Sequence, residues 1–249
     1  MPITKRFFGK TLSEISSELP PEKKEPVSES IVSSIQNPES YITLPARKHG
    51  SYEYPEIFVA KERTLQGKNW YEAQEALSAE NKFMPTIKQY VDFLSLLKSG
   101  KAYDGNGAFV SKQELDSILD DILTVRNPWR AEWLDAQFSK QGQRLYISYH
   151  KFKQGKLEQV TESLQEYHLM QDKLPGISLD DWLQNATEQG LPSSRTKKGS
   201  LYFWHPRENH VAGFVADSNG ASLYCYGDPR VSDSALGVRE CVSAEGASR

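Results

Sequence analysis

No apolar run in this chain lasts more than a few residues, so no segment offers the roughly 20 apolar positions a helix needs to cross a bilayer. Cysteine is scarce as well: Cys225 and Cys241 are the only two in 249 residues. Two are too few for a disulfide framework, and the expectation is a pair of reduced, buried thiols. A basic excess is missing, with 30 Lys and Arg against 33 Asp and Glu and a net charge of −3. Binding by counterion release needs a basic stripe, so nucleic acid is not an expected partner. The amino-terminal stretch Met1 to Pro21 has no apolar core of signal-peptide length. The expectation is a cytoplasmic protein, with display on a cell surface or virion still open. There is no Gly-x-Ser-x-Gly elbow and no glycine-rich phosphate loop. Asp104-Gly105-Asn106-Gly107 begins like a calcium loop, but Leu115 stands where the bidentate acid is required. His205 and His210 lack zinc-site spacing with Cys225. No metal and no cofactor are expected.

A further absence is local. Lys, Glu, Gln, Trp and Met together supply 62 of the 249 residues, yet none occurs from Val211 to Gly237. Within that window Val211 to Asp217 and Ala221 to Tyr226 flank Ser218-Asn219-Gly220. Asn-Gly between two strand-like runs predicts a hairpin, because both residues tolerate positive φ and the turn's twist matches the strands.

Residues 1–45 are rich in Ser, Glu, Lys and Pro and read as an arm or linker, with Phe7, Phe8, Leu12 and Ile15 able to form one amphipathic turn. A globular pattern occupies 46–249, starting with a short strand from Glu56 to Ala60. Asn69 with Glu72 predicts a capped helix carrying Trp70, Ala73 and Leu77 on one face. Thr86 opens a second, with Ile87, Tyr90, Leu94 and Leu97 in one stripe and Gly100 at its end. Ser111 and Glu114 open a third, burying Leu115, Ile118, Leu119 and Ile122 and turning Asp116, Asp120 and Asp121 to water. Trp129 and Trp133 are core anchors. Leu145, Ile147 and Tyr149 alternate as a strand should, and Gln154-Gly155 turns that strand back through Lys156 to Val160. Ser178 caps a last helix with Leu179, Trp182, Leu183 and Ala186 inward, ended by Gly190 and Pro192. Ser193 to Gly199 is an exposed loop. Helices first and clustered strands last predict an α+β fold with a mostly antiparallel sheet.

Three segments carry a resemblance. Asn69-Trp-Tyr-Glu-Ala-Gln-Glu-Ala-Leu77 followed by Met84-Pro-Thr86 resembles the first helix of the C-type lectin fold, in the branch shared with formylglycine-generating enzyme. Arg130-Ala-Glu-Trp-Leu-Asp135 resembles the segment that leads into the sheet in that branch, and Leu236-Gly-Val-Arg239 resembles its closing strand. Within the branch the chain is most similar to the variable proteins of diversity-generating retroelements. In those systems a reverse transcriptase copies a template with errors at adenines and rewrites the 3′ end of the target gene. Lys, Glu, Gln, Met and Trp do not arise from an AAC codon mutated at its first two bases, so the gap from Val211 to Gly237 is what such a history would leave. The resemblance implies a C-type-lectin-like domain whose carboxyl-terminal region, 199–241, presents a variable, solvent-facing patch.

Strand spacing then sorts the patch. Val211, Phe214, Ala216, Leu223, Cys225, Leu236 and Val238 are scaffold, while Tyr224 and Tyr226 alternate with their buried neighbours and face outward. Gly227 to Asp233 must be loop, since Pro229 interrupts any strand. The candidate ligand-binding residues are Asn219, Tyr224, Tyr226, Asp228, Arg230, Ser232 and Asp233. Tyrosine offers a large rigid surface, and short polar side chains adapt their hydrogen bonds. The expected activity is non-enzymatic binding of a protein surface or glycan. Two rivals stand beside it: an oxygen- or metal-dependent enzyme of the formylglycine-generating type, and a carbohydrate-binding lectin. The first needs a pair of active cysteines whose flanking pattern is missing. The second lacks the Glu-Pro-Asn and Trp-Asn-Asp calcium motifs, offering only Arg207-Glu208-Asn209-His210.

Overall fold

The computed structural model describes residues 37–154 and 156–244. After a 3-10 turn at Pro38–Ser40, four strands precede the α-helices: Tyr41–Leu44 (β1), Arg47–His49 (β2), Tyr52–Tyr54 (β3) and Ile57–Ala60 (β4). The first of these corrects the arm boundary expected at residue 45. β1 is buried along its length and pairs antiparallel with β4 from Tyr41↔Ala60 to Leu44↔Ile57. Its four residues find enough apolar contact to order them only because β4, Asp104 and the core lie over them. The amphipathic turn at Phe7, Phe8, Leu12 and Ile15 lies outside the described residues.

Helix starts follow their caps. Asn69 accepts the Glu72 N–H at 3.0 Å while Glu72 accepts the Asn69 N–H at 2.9 Å, opening Trp70–Ala79 (α1). Thr86 and Gln89 make the same reciprocal pair at the head of Ile87–Ser99 (α2), which Gly100 ends in the left-handed conformation, φ 68°. Ala102–Tyr103 (β5) and Phe109–Val110 (β6) bracket the turn that begins like a calcium loop. There the Asp104 carboxylate accepts the N–H groups of Asn106 and Ala108, each at 2.9 Å, and so serves the turn itself. Ser111 caps Lys112–Leu123 (α3). Its Asp121 is not simply solvated: the carboxylate reaches Arg130 at 2.9 Å and Arg126 at 3.1 Å.

Three long strands follow, Arg130–Gln141 (β7), Arg144–Lys153 (β8) and Lys156–Ser163 (β9), then Lys173–Ile177 (β10). Gln154 takes φ 52° at the β8–β9 turn, and Gly155 lies outside the described residues. Ser178 caps Leu179–Asn185 (α4), which stops short of Gly190 and Pro192. Leu201–Trp204 (β11), His210–Ala216 (β12), Ala221–Gly227 (β13), Leu236–Gly237 (β14) and Cys241–Ser243 (β15) complete the chain.

The architecture is mixed α+β. The large sheet runs β10-β11-β13-β12-β7-β8-β9, with β14 also on β7, and it is antiparallel except for β11·β13 and β14·β7. A second sheet, β1-β4-β15, joins strands from near both ends of the described chain. The large sheet is packed on both sides. One side carries Leu134, Phe138, Phe214, Leu223 and Cys225 against α2, α3 and α4, with Trp182 stacked on Phe214 at 6.4 Å. The other carries Ala131, Trp133 and Val211 against Trp70, Ala73 and Leu77 of α1, closed by Leu236 and Val238. The three segments singled out in the sequence therefore meet in this second cluster. Trp70 Nε1 donates to the Leu134 carbonyl at 3.0 Å, and Leu236 and Gly237 pair with Ala131 and Glu132.

A charge network holds that junction. Glu132 is fully buried, and its carboxylate takes Arg239 at 2.7 Å and Arg130 at 2.5 Å. Arg239 also donates to the carbonyls of Ala60 and Lys61, which ties β14 to β4. Burial alone would raise the Glu132 carboxyl, but the two guanidiniums outweigh it and lower it to about 2. Among the described residues no helix is long and apolar enough to cross a membrane.

Candidate functional site

The outer face of β11–β13 carries a cluster of rings. Leu201 and Phe203 of β11 turn into the core, so Tyr202 and Trp204 point the other way and stay half-buried. In β13 Leu223 and Cys225 are buried while Tyr224 and Tyr226 share the face of Trp204. Register aligns them in one row across four strands: Trp133↔Gly213, Gly213↔Tyr224 and Tyr224↔Trp204. Trp204 and Tyr226 meet edge-on at 5.6 Å, Tyr224 and Tyr226 at 5.9 Å, and Tyr224 tilts onto Trp133 at 6.4 Å.

Glycines make the room. A Cβ on Gly213 would lie 2.6 Å from the Tyr224 hydroxyl, and one on Gly227 would lie 2.8 Å from Tyr224 Cε2. The Tyr224 ring is thus seated flat over two strands, and burial pushes its hydroxyl well above the ordinary tyrosine range. Tyr226 stands over it with one ring face taken by Arg207, whose guanidinium carbon lies 4.9 Å from the centroid. Asp172 pairs with Arg207 at 3.6 Å.

The seven candidate residues divide. Tyr224 and Tyr226 face outward as spacing required, and all seven scaffold positions are buried. Arg230 is exposed and Asp228 half-exposed; the Asp228 carboxylate accepts the Arg230 backbone N–H at 3.0 Å and two guanidinium bonds at 3.0 and 2.9 Å. The Arg230 donors hold the Asp228 carboxyl down at about 2. Ser232 is exposed on the same loop. Asp233 is given over to local structure: its carboxylate accepts the Ala235 N–H at 2.8 Å and its carbonyl accepts from Gly67 and Leu236. Asn219 sits at the far tip of the hairpin, where its N–H bonds Asp217, away from the Tyr226 end. Tyr202, Trp204 and Arg207 belong to the cluster but lie upstream of the composition gap, so that signal missed them. The alternation Leu201-Tyr202-Phe203-Trp204 was the clue available.

No family model, curated protein or solved structure matches this chain. The face offers aromatic area, paired Arg–Asp groups and hydroxyls. The two thiols are elsewhere: Cys225 and Cys241 are fully buried in the main core, and burial pushes both well above the ordinary range. In the folded protein both thiols should resist an aromatic disulfide reagent at pH 8 for as long as the fold persists, and both should react promptly in denaturant. One rapidly reacting thiol under native conditions would show that the core around it opens. A separate polar cleft of about 800 Å³ lies between the end of β9, α4 and the 193–197 loop, lined by His168, Asp181, Glu188, Arg195 and Lys197. It shares no residue with the aromatic face.

Proposed function

We propose that this chain is a non-enzymatic recognition protein with a C-type-lectin-like fold, whose β11–β13 face binds a protein surface or glycan and is diversified by a retroelement. The observation that carries the reading is the ring cluster itself. Tyr202, Trp204, Tyr224 and Tyr226 present rigid amphipathic area on a packed sheet, with Arg207 stacked at its rim. Tyrosine, tryptophan and arginine supply most of the energy at binding hot spots, and a sheet that is already ordered limits the entropy lost on association. The meeting of the three resemblance-bearing segments around Trp70, Trp133 and Leu236 supports the lectin-like assignment. The burial of both cysteines supports binding over thiol-based oxygen chemistry.

The test is the DNA around the gene. The expected result is a near-identical repeat that differs at adenines, beside a reverse-transcriptase gene. Its altered codons should fall on Tyr224, Tyr226, Asp228, Arg230 and Ser232, and spare Phe214, Leu223 and Cys225. A repeat whose altered codons fall on the buried positions, or no repeat at all, would end the diversification reading.

A further inference from the structure

β9 ends the large sheet. It pairs with β8 without interruption from Lys153↔Lys156 to Tyr146↔Ser163, and no described strand lies beyond it. When two residues join two strands the closing pair shares its hydrogen bonds, and bonded and non-bonded pairs then alternate. The bond from the Leu164 N–H to the Leu145 carbonyl, 2.8 Å, falls on the same alternation. Leu157, Gln159, Thr161 and Ser163 therefore turn their backbone donors and acceptors outward. Among the described residues no backbone group from another element meets them. Sheet edges in natural proteins are usually blunted by proline, a bulge, shortness or charged side chains. β9 has eight residues, no proline and no register shift.

What β9 does have is charge in a particular order. Lys156, Glu158, Val160 and Glu162 share one face. Glu158 is paired with Lys153 at 3.3 Å and Glu162 accepts from Gln189 at 3.1 Å, while Lys156 has no charged partner among the described residues. We propose that this edge is a self-association site, at which a second copy of the chain adds its own β9 antiparallel about a two-fold axis through Gln159. In that register Lys156 faces the partner's Glu162, Leu157 faces the partner's Thr161 and Glu158 faces the partner's Val160. Two opposite-charge pairs form by symmetry and no like charges stand directly opposite. Moving the axis to Glu158 sets Glu158 against the partner's Glu158, and moving it to Val160 sets Glu158 against the partner's Glu162. Parallel in-register stacking opposes every charge with its like. Of the two-fold registers that overlap most of β9, this one forms opposite-charge pairs without opposing like charges, and the pattern disfavours open-ended stacking. The inference does not depend on what the β11–β13 face binds.

Sedimentation velocity of the full chain, from about 1 to 200 µM, reads it directly. The expected result is a monomer–dimer equilibrium. Gln159→Pro removes an outward N–H at a position where an edge strand accepts proline, and should raise the dimer Kd at least about tenfold with unchanged far-UV circular dichroism. Lys156→Glu, on an exposed side chain that leaves folding intact, should also weaken the dimer about tenfold, and Lys156→Glu with Glu162→Lys should restore it. A chain that stays monomeric throughout overturns the proposal, whether the edge is bare or covered by residues 1–36. So does a dimer indifferent to Lys156→Glu, which would place the interface elsewhere.

Discussion

Glu132→Gln should lower the free energy of unfolding by about 3–5 kcal/mol. The reason is what remains behind. Arg130 and Arg239 are 2 % and 1 % exposed, and without the carboxylate Arg239 keeps only the Ala60 and Lys61 carbonyls and Arg130 only Asp121 at the surface. Arg130 is already short of partners, since its Nε and Nη1 are buried and unbonded. Urea unfolding at neutral pH gives the magnitude. The acid limb of the stability curve gives a second signature. Glu132 has its carboxyl lowered from 4.5 to about 2 in the fold, so its contribution is complete above pH 4.5 and is lost as pH falls through about 2. The Gln variant should lack that part of the acid dependence. A loss below about 1 kcal/mol would show that the network relaxes or hydrates when the charge is removed.

Against a partner recovered for the ring cluster, Tyr226→Ala should weaken binding at least thirtyfold, about 2 kcal/mol, with little change in thermal midpoint. Tyr226 is half-buried, and its contacts are to Trp204, Tyr224 and Arg207 on the outer face. Arg207→Ala should act in the same direction by releasing the stacked guanidinium. Tyr224 is different in kind. It fills space over Gly213 and Gly227, so its removal opens a void against Trp133 and costs folding stability along with binding. Gly213→Val should reproduce the binding loss without touching an exposed atom, because the new side chain displaces the Tyr224 ring. Unchanged affinity in both Tyr226→Ala and Arg207→Ala, measured by titration calorimetry, would remove the face from the binding site.

Helices were legible wherever a side chain had a local job. Asn69, Thr86, Ser111 and Ser178 each bond a backbone N–H three residues on, and that chemistry is written in the adjacent sequence. The hairpin around Asn219-Gly220 was legible in place but not in turn type: Gly220 alone of the two takes positive φ, and the Asp217 carboxylate accepts the N–H groups of both. What escaped depends on distant partners. β7 runs through Trp133 as one long strand, but both of its faces are buried, so it shows no alternation. Arg239, about a hundred residues away in sequence, joins Arg130 in making Glu132 an interior residue. β1 hides among prolines and serines and is a strand because β4 lies beside it. The parallel contact between β11 and β13 brings Trp204 next to Tyr224, which no local pattern encodes. The composition gap also meant less than its length suggested. Much of Val211 to Gly237 is core, where Lys, Glu and Gln would be missing in any case, so its weight rests on the exposed positions around Tyr226 and Arg230.

The sheet β1-β4-β15 has a mechanical consequence. β1 and β15 both run antiparallel to β4 and flank it on opposite edges, so they run parallel to one another. Tension drawn backward through β1 and forward through β15 loads both ladders in shear, with their hydrogen bonds strained together instead of peeled one at a time. Rupture under such a pull is governed by the rate of unfolding. A tether on either side of this pair would find the domain stiff along that line, with the ring-bearing strands outside the path of the force.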